Sequence, residues 1–246
     1  MTTRSQPPPV PDPQAHSSLT ACLTALAGTP DDASWITSQL VTIAQLSADL
    51  IAPVAYASIT ADRDDAVTTV ATSSEIALAV DQAQYDGQAG PCLDALNTAS
   101  PIAVPDVAAT MRWPGFRDSA YRLGIRASLS IPLFAGRGTA VAALNLYGRD
   151  PNSLAPLTAA VWAAYDPHRP GTSAPGTGLD HGGEALVAGL AGAFAVRARI
   201  QQAIGVVMAS THRTADAAYL ILRMRAAETG ATLTDTATAT ITEHQW

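Results

Sequence analysis

The chain has 246 residues, 48% of them hydrophobic and only 14% charged, which gives apolar material for a medium core plus a small one and argues against wholesale disorder. A formal net charge of −7 excludes a molecule that attracts nucleic acid over its whole surface, and all 14 basic residues are arginine. Cys22 and Cys92 are too few for a disulfide framework, and no stretch is long and apolar enough for a membrane span, so the expected setting is the cytoplasm.

The opening segment MTTRSQPPPVPDPQ is polar and proline-rich, with no apolar core of an export signal. Residues 1–18 are expected to be a disordered tail. From Leu19 to Asp49 apolar residues recur at helical spacing, and VAYASIT (54–60) and AVTTVAT (66–72) read as two strands. A helical stretch, SSEIALAVDQAQ, leads into the loop YDGQAGP. It is followed by a short helix (CLDALNTA), a strand (IAVP), an amphipathic segment from Trp113 to Leu123, and the strands ASLSIPL and TAVAALNLYG. Strands and helices that do not alternate regularly predict an α+β fold with a mostly antiparallel sheet. After a helix ending near Tyr165, residues 166–183 are dense in Pro, Gly, Ser and Thr and read as a linker.

From Glu184 a long helix is expected. Leu186, Ala193, Ile200 and Val207 are spaced by seven, with Val196 and Ala203 at complementary positions, the pattern of a short coiled-coil seam. A homodimer through that seam is the expectation, and packing within the same chain is the alternative. Between Arg197 and Arg225 five arginines (197, 199, 213, 223 and 225) stand against one acid, Asp216. On a second helix Ala215, Ala218, Tyr219, Leu222 and Ala226 share a face that Arg223 and Arg225 flank, with Thr214 as N-cap and Gly230 as C-cap. Gly205, in the middle of a helix, suggests a close approach by another helix. Threonines at every second position from 232 to 242 favour a strand by propensity. Leu233, Ala237 and Ile241 make an i, i+4, i+8 stripe, and helix is the reading adopted.

Residues 195–243 resemble the ANTAR domain, a three-helix RNA-binding module of bacterial antitermination regulators. Ala203, Gly205 and Met208 fall on its Q-A-x-G-x-x-M core, Ala218, Tyr219, Leu222 and Arg223 on its A-[FY]-x-x-L-R segment, and Leu233, Asp235 and Ala237 on its L-x-D-x-A. The sequence departs from the family at Ser210 and His212, where glycine and a basic residue are usual, and at Ala217, usually acidic. It departs also at Ala231, Thr232 and Thr234, where basic side chains are common. Fewer cations release fewer counterions, which implies weaker RNA binding than is usual. The resemblance implies RNA contacts from Arg197, Arg199, Gln202, Gly205, Arg213, Tyr219, Arg223 and Arg225.

Residues 30–165 resemble a GAF sensor domain of the actinobacterial kind found before ANTAR modules. The matching pieces are Gln84–Tyr85, Gly87 to Leu96, Pro105-Asp106, Arg112-Trp113-Pro114, Gly124 to Ser128, Ile131-Pro132-Leu133 and Ala143 to Tyr147. This implies an antiparallel sheet with flanking helices, a long helix and a C-terminal three-helix bundle, arranged as a sensor over 19–165, a linker over 166–183 and an ANTAR unit over 184–246. Tyr85, Cys92, Trp113 and Phe116 are candidates to line a ligand pocket, against the plainer reading of core. Cys92, after Gly-Pro at a helix start, is also a candidate redox thiol, against the commoner fate of a buried cysteine.

No Walker loop, dinucleotide fingerprint, H-E-x-x-H or nucleophile elbow occurs, and the five histidines have no metal-ligand spacing, so neither an enzyme nor a metal protein is expected. The residues name no cofactor. The reading is therefore a signal-responsive regulator that binds RNA hairpin loops in a nascent transcript and prevents a terminator from forming. Its rivals are a dimerisation or interaction module that has lost RNA binding, a redox sensor using Cys92, and a three-helix DNA binder.

Overall fold

A computed structural model describes residues 18–31, 33–63, 66–166, 168 and 178–244. The expected tail 1–18 lies outside these residues except for Ser18, as do 167 and 169–177 of the expected linker. The helical stretch from Leu19 to Asp49 is two helices, α1 (Leu19–Ala27) and α2 (Ile36–Leu50). The break falls at Gly28-Thr29-Pro30, since Gly28 caps α1 and proline cannot continue a helix.

Strands β1 (Tyr56–Arg63) and β2 (Ala66–Thr72) come next, then helices α3 (Glu75–Asp86) and α4 (Pro91–Thr98), strand β3 (Ile102–Val104) and helix α5 (Pro114–Arg122). Strands β4 (Ala127–Ala135) and β5 (Thr139–Gly148) and helix α6 (Ala155–Tyr165) complete the first domain. The five strands form one sheet in the order β2-β1-β5-β4-β3, with every pairing antiparallel. Period-two alternation gives the sheet two unlike faces. Ala57, Ile59, Leu129, Ile131, Leu144 and Leu146 point into an apolar core under α1, α2, α6 and the next helix. The intervening residues Ser58, Thr60, Ser128, Ser130 and Asn145 are equally buried but polar, on the face that α3, α4 and α5 cover with Val80, Phe116 and Trp113.

Helix α7 (His181–Thr211) runs 31 residues. It starts inside the stretch expected as linker, because Asp180 caps it by accepting from the Gly183 amide at 2.8 Å and also accepts from the Ala52 amide beyond α2. Leu186 and Leu190 sit in the sheet domain's core, and Ile200, Ala203, Ile204 and Val207 sit in a second core with α8 (Ala215–Thr229) and α9 (Leu233–Glu243). The unit expected over 184–246 therefore begins inside the first domain's core, and one continuous helix joins the two cores.

The heptad seam is consumed within the chain. Its upper half packs on α1, where the Thr20 hydroxyl donates to the Ala185 carbonyl at 2.8 Å, and its lower half faces α8 and α9. Gly189 permits the close helix contact, since a Cβ there would stand 2.9 Å from Thr20 Cα and 2.8 Å from Leu23 Cδ1. Gly205, where close approach was expected, faces open space with nothing within 4 Å of a Cβ. Residues 233–243 are helical despite their threonines, because the stripe of Leu233, Ala237 and Ile241 is buried. Thr232, just before the segment, caps α9, and three of its threonines, Thr236, Thr238 and Thr242, each donate to the carbonyl four residues earlier.

Two glycine substitutions separate these roles. Gly205→Ala should stabilise the chain by about 1 kcal/mol through helix propensity, while Gly189→Ala should destabilise it despite the same propensity gain. Urea denaturation of both variants checks this, and a stabilised Gly189→Ala would show that α1 is not held against α7.

Candidate functional site

Asp81, on α3, is the centre of the polar face. It is buried among the sheet hydroxyls and accepts from the Tyr147 hydroxyl at 2.5 Å, the Thr69 hydroxyl at 2.8 Å and the Asn145 amide at 3.4 Å. Asn145 also donates to Thr60 Oγ1 at 2.9 Å, and the Tyr85 hydroxyl lies 2.8 Å from both Thr60 and Thr69. Gln84 joins the network to α4, donating to Tyr147 at 3.3 Å and accepting from the Cys92 amide at 3.0 Å. Burial outweighs these hydrogen bonds and raises the Asp81 carboxyl to about 6. The Ser128 and Ser130 hydroxyls and Asn145 Oδ1 are buried without a partner.

Of the expected ligand-lining residues, Tyr85 and Cys92 belong to this network's edge, whereas Trp113 and Phe116 pack edge-to-face in the apolar core under α5. Burial, and then the nearby Asp81 charge, push the Cys92 thiol well above its ordinary value. That is opposite to what a reactive thiolate needs. Asp81, Asn145 and Tyr147 were missed. The available signal was an acid on the buried stripe of a helix (Ala77, Val80, Asp81, Gln84) and polar residues in a strand buried on both faces.

The second region is where the three-helix bundle meets the sheet domain. The turn between β4 and β5 carries Arg137, whose guanidinium bridges Asp31 at 2.8 Å, in the α1–α2 connection, and Asp216 at 3.0 Å, on α8. The Tyr219 hydroxyl donates to Asp31 at 3.1 Å, and burial with the Asp31 charge pushes it up to about 12. On α7, Arg197 donates to the Gly138 carbonyl at 2.8 Å and stacks on Phe134, while Gln201 donates to the Arg137 carbonyl.

The residues expected to contact RNA therefore divide. Tyr219 and Arg197 are held by the sheet domain, and Arg223 is half-buried with its guanidinium over the Tyr219 ring at 5.8 Å. Arg199, Gln202, Gly205, Arg213 and Arg225 are exposed. Asp31 and Arg137 carried no sequence signal, since both lie in connections that only the tertiary fold brings together. Among the described residues no helix could cross a membrane and no group of three or more His, Cys, Asp or Glu lies together.

Asp81 binds its proton more tightly in the folded chain than in the unfolded one. Its contribution to stability is thus fully present below about pH 4 and is lost as pH rises through 6. Asp81→Asn should gain on the wild type across that window, levelling near 3 kcal/mol, on the order of two pKa units. Denaturation midpoints of both proteins from pH 4 to 7 check this, with a flat difference as the opposing result.

Comparison with known proteins agrees with the two-part architecture. A GAF domain model matches residues 37–164 and an ANTAR domain model matches residues 188–241. No curated protein matches the chain. Among solved structures, a type II free methionine-R-sulfoxide reductase from Thermoplasma acidophilum is similar at 12% identity and a TM-score of 0.38, over 53% of this chain and 80% of that one. A domain described as that of a two-component sensor histidine kinase protein from Sinorhizobium meliloti 1021 is similar at 14% identity and a TM-score of 0.37, over 66% and 89%. Likeness at that level says nothing of activity. The GAF match covers more than half of the chain and the ANTAR match most of the C-terminal remainder, and both are regulatory domains: the chain belongs to the GAF domain family and joins that signal-sensing domain to an RNA-binding ANTAR domain.

Proposed function

We propose that the protein is a signal-responsive transcription antiterminator that acts in the cytoplasm, binding RNA hairpin loops through its ANTAR bundle, and that the docked arrangement is its RNA-silent state. The observation that carries this reading is the division of the RNA-facing residues. Tyr219 and Arg197 are engaged with Asp31, Gly138 and Phe134 of the sensor, while Arg199, Arg213 and Arg225 remain open to a phosphate backbone. An aromatic ring and a guanidinium are what an unstacked loop base stacks against, and here the ring is already covered. A signal that loosens the Arg137 contact would release the Tyr219 hydroxyl from Asp31 and the neighbouring edge of the bundle, the ring itself being packed in the bundle's core. Such a switch needs only a small free energy, since an exposed ion pair contributes about 0–1 kcal/mol and a hydrogen bond about 1 kcal/mol.

A homodimer remains part of this reading, with a surface other than the buried α7 seam. Leu220 and Met224, one turn apart on α8, are more than half exposed and offer one. They also favour the second reading, a bundle that recruits a protein partner rather than RNA.

Hairpin-RNA binding at low and physiological salt distinguishes the two. Arg137→Ala should bind a responsive hairpin about fivefold to tenfold tighter than the wild type, in the ordinary range of coupling between sites. Arg199→Ala with Arg213→Ala should weaken binding and flatten its salt dependence. Absence of binding by folded Arg137→Ala across a diverse hairpin pool at low salt would favour the interaction module.

A further inference from the structure

Helix α8 carries a pairing seam of its own. Ala217, Leu220, Met224 and Ala227 follow one another at spacings of three, four and three, the spacing by which two helices mesh. Leu220 is 54% and Met224 61% exposed, with Ala227 exposed and Ala217 half-buried. The stripe points away from the bundle's core, which α8 meets with Ala218, Tyr219 and Leu222. At about 100° per residue it also lies roughly a quarter turn from Asp216 and Tyr219, the residues that hold the sensor. In size the stripe reads the same from either end: small, large, large, small. Its ends differ in charge, with Arg213 just before the N-cap, Glu228 in the last turn, and both exposed.

We propose that α8 pairs antiparallel with the α8 of a second copy of this chain through this stripe, which rests on the homodimer of the proposed function and names its surface. A two-fold axis midway between Leu220 and Met224 sets Leu220 against the partner's Met224 and Ala217 against the partner's Ala227. It also brings Arg213 to within about one helical turn of the partner's Glu228. A parallel pairing sets Arg213 against the partner's Arg213, where like charges repel. Four residues a side bury less than the roughly 1,200–2,000 Å² of a stable interface, so the pair is a weak one. The symmetry sorts the arginines too. An axis perpendicular to both helices leaves each edge of α8 beside the same edge of its partner. Asp216 and Tyr219 lie on one edge and Arg225 on the other. Both sensors therefore stand on one side of the pair, and both Arg225 side chains on the opposite side, about 9 Å apart along the axis. That side is a shared cationic face for a phosphate backbone.

Sedimentation velocity of the full chain from roughly 1 to 200 µM tests the pairing, with dissociation expected in the micromolar range. Leu220→Glu combined with Met224→Glu, both at exposed positions, should give a folded monomer at every concentration. Arg213→Glu and Glu228→Arg should each weaken the dimer about threefold to tenfold, because the two-fold axis breaks two exposed ion pairs at once. The two together should restore it, with each pair remade in reversed sign. A wild type that stays monomeric overturns the proposal. So does a folded Leu220→Glu, Met224→Glu variant that stays dimeric, or a charge swap that fails to restore association. None of these readouts involves RNA, so their failure leaves hairpin binding to be judged on its own. Hairpin titrations against salt then test the shared face. The monomeric variant should show a shallower salt dependence than the wild type, and equal slopes would overturn that face.

Discussion

Helix α7 is buried at both ends in different surroundings, and most of the molecule's organisation depends on that. Leu186 and Leu190 are packed under the sheet, and Ile200, Ala203 and Val207 form the spine of the three-helix bundle. Full burial of a leucine or isoleucine is worth about 1.5–3 kcal/mol, so neither end can leave its core cheaply. Between them, Phe194 stacks edge-on with Phe134 and Tyr165. One continuous helix from His181 to Thr211 therefore joins the two cores.

Beside that helix, the ion pairs that the described residues make between the domains are slight. Arg137 is about half exposed and shares itself between Asp31 and Asp216, the latter almost fully solvated. Such contacts give orientation rather than stability. In the proposed switch, polar contacts this weak are what would let modest differential binding shift a population.

The sensor's polar face has the opposite character. Asp81 and its hydroxyl partners are enclosed, and removing water makes each satisfied bond stronger and each unsatisfied group more costly. The network therefore fixes the packing of α3 and α4 on the sheet.

The sequence by itself determined the local elements and the two-domain order. Alternation in β1, β4 and β5, the apolar stripes of α8 and α9, and the caps Thr214 and Gly230 are short-range patterns that backbone geometry imposes. It also marked the arginines of the bundle, because charge is legible wherever it lies. It misjudged two features that depend on neighbours. The heptad repeat of α7 has the same spacing whether its partner is a second copy or α1, and a glycine such as Gly205 looks alike facing a helix or facing water. Only the tertiary structure decided these. It alone brought Asp31, Arg137 and Tyr219 together from three distant segments, and it alone split the arginine set into held and open members. Long-range pairing of single polar residues in loops leaves no periodic trace, since nothing local constrains where such residues meet.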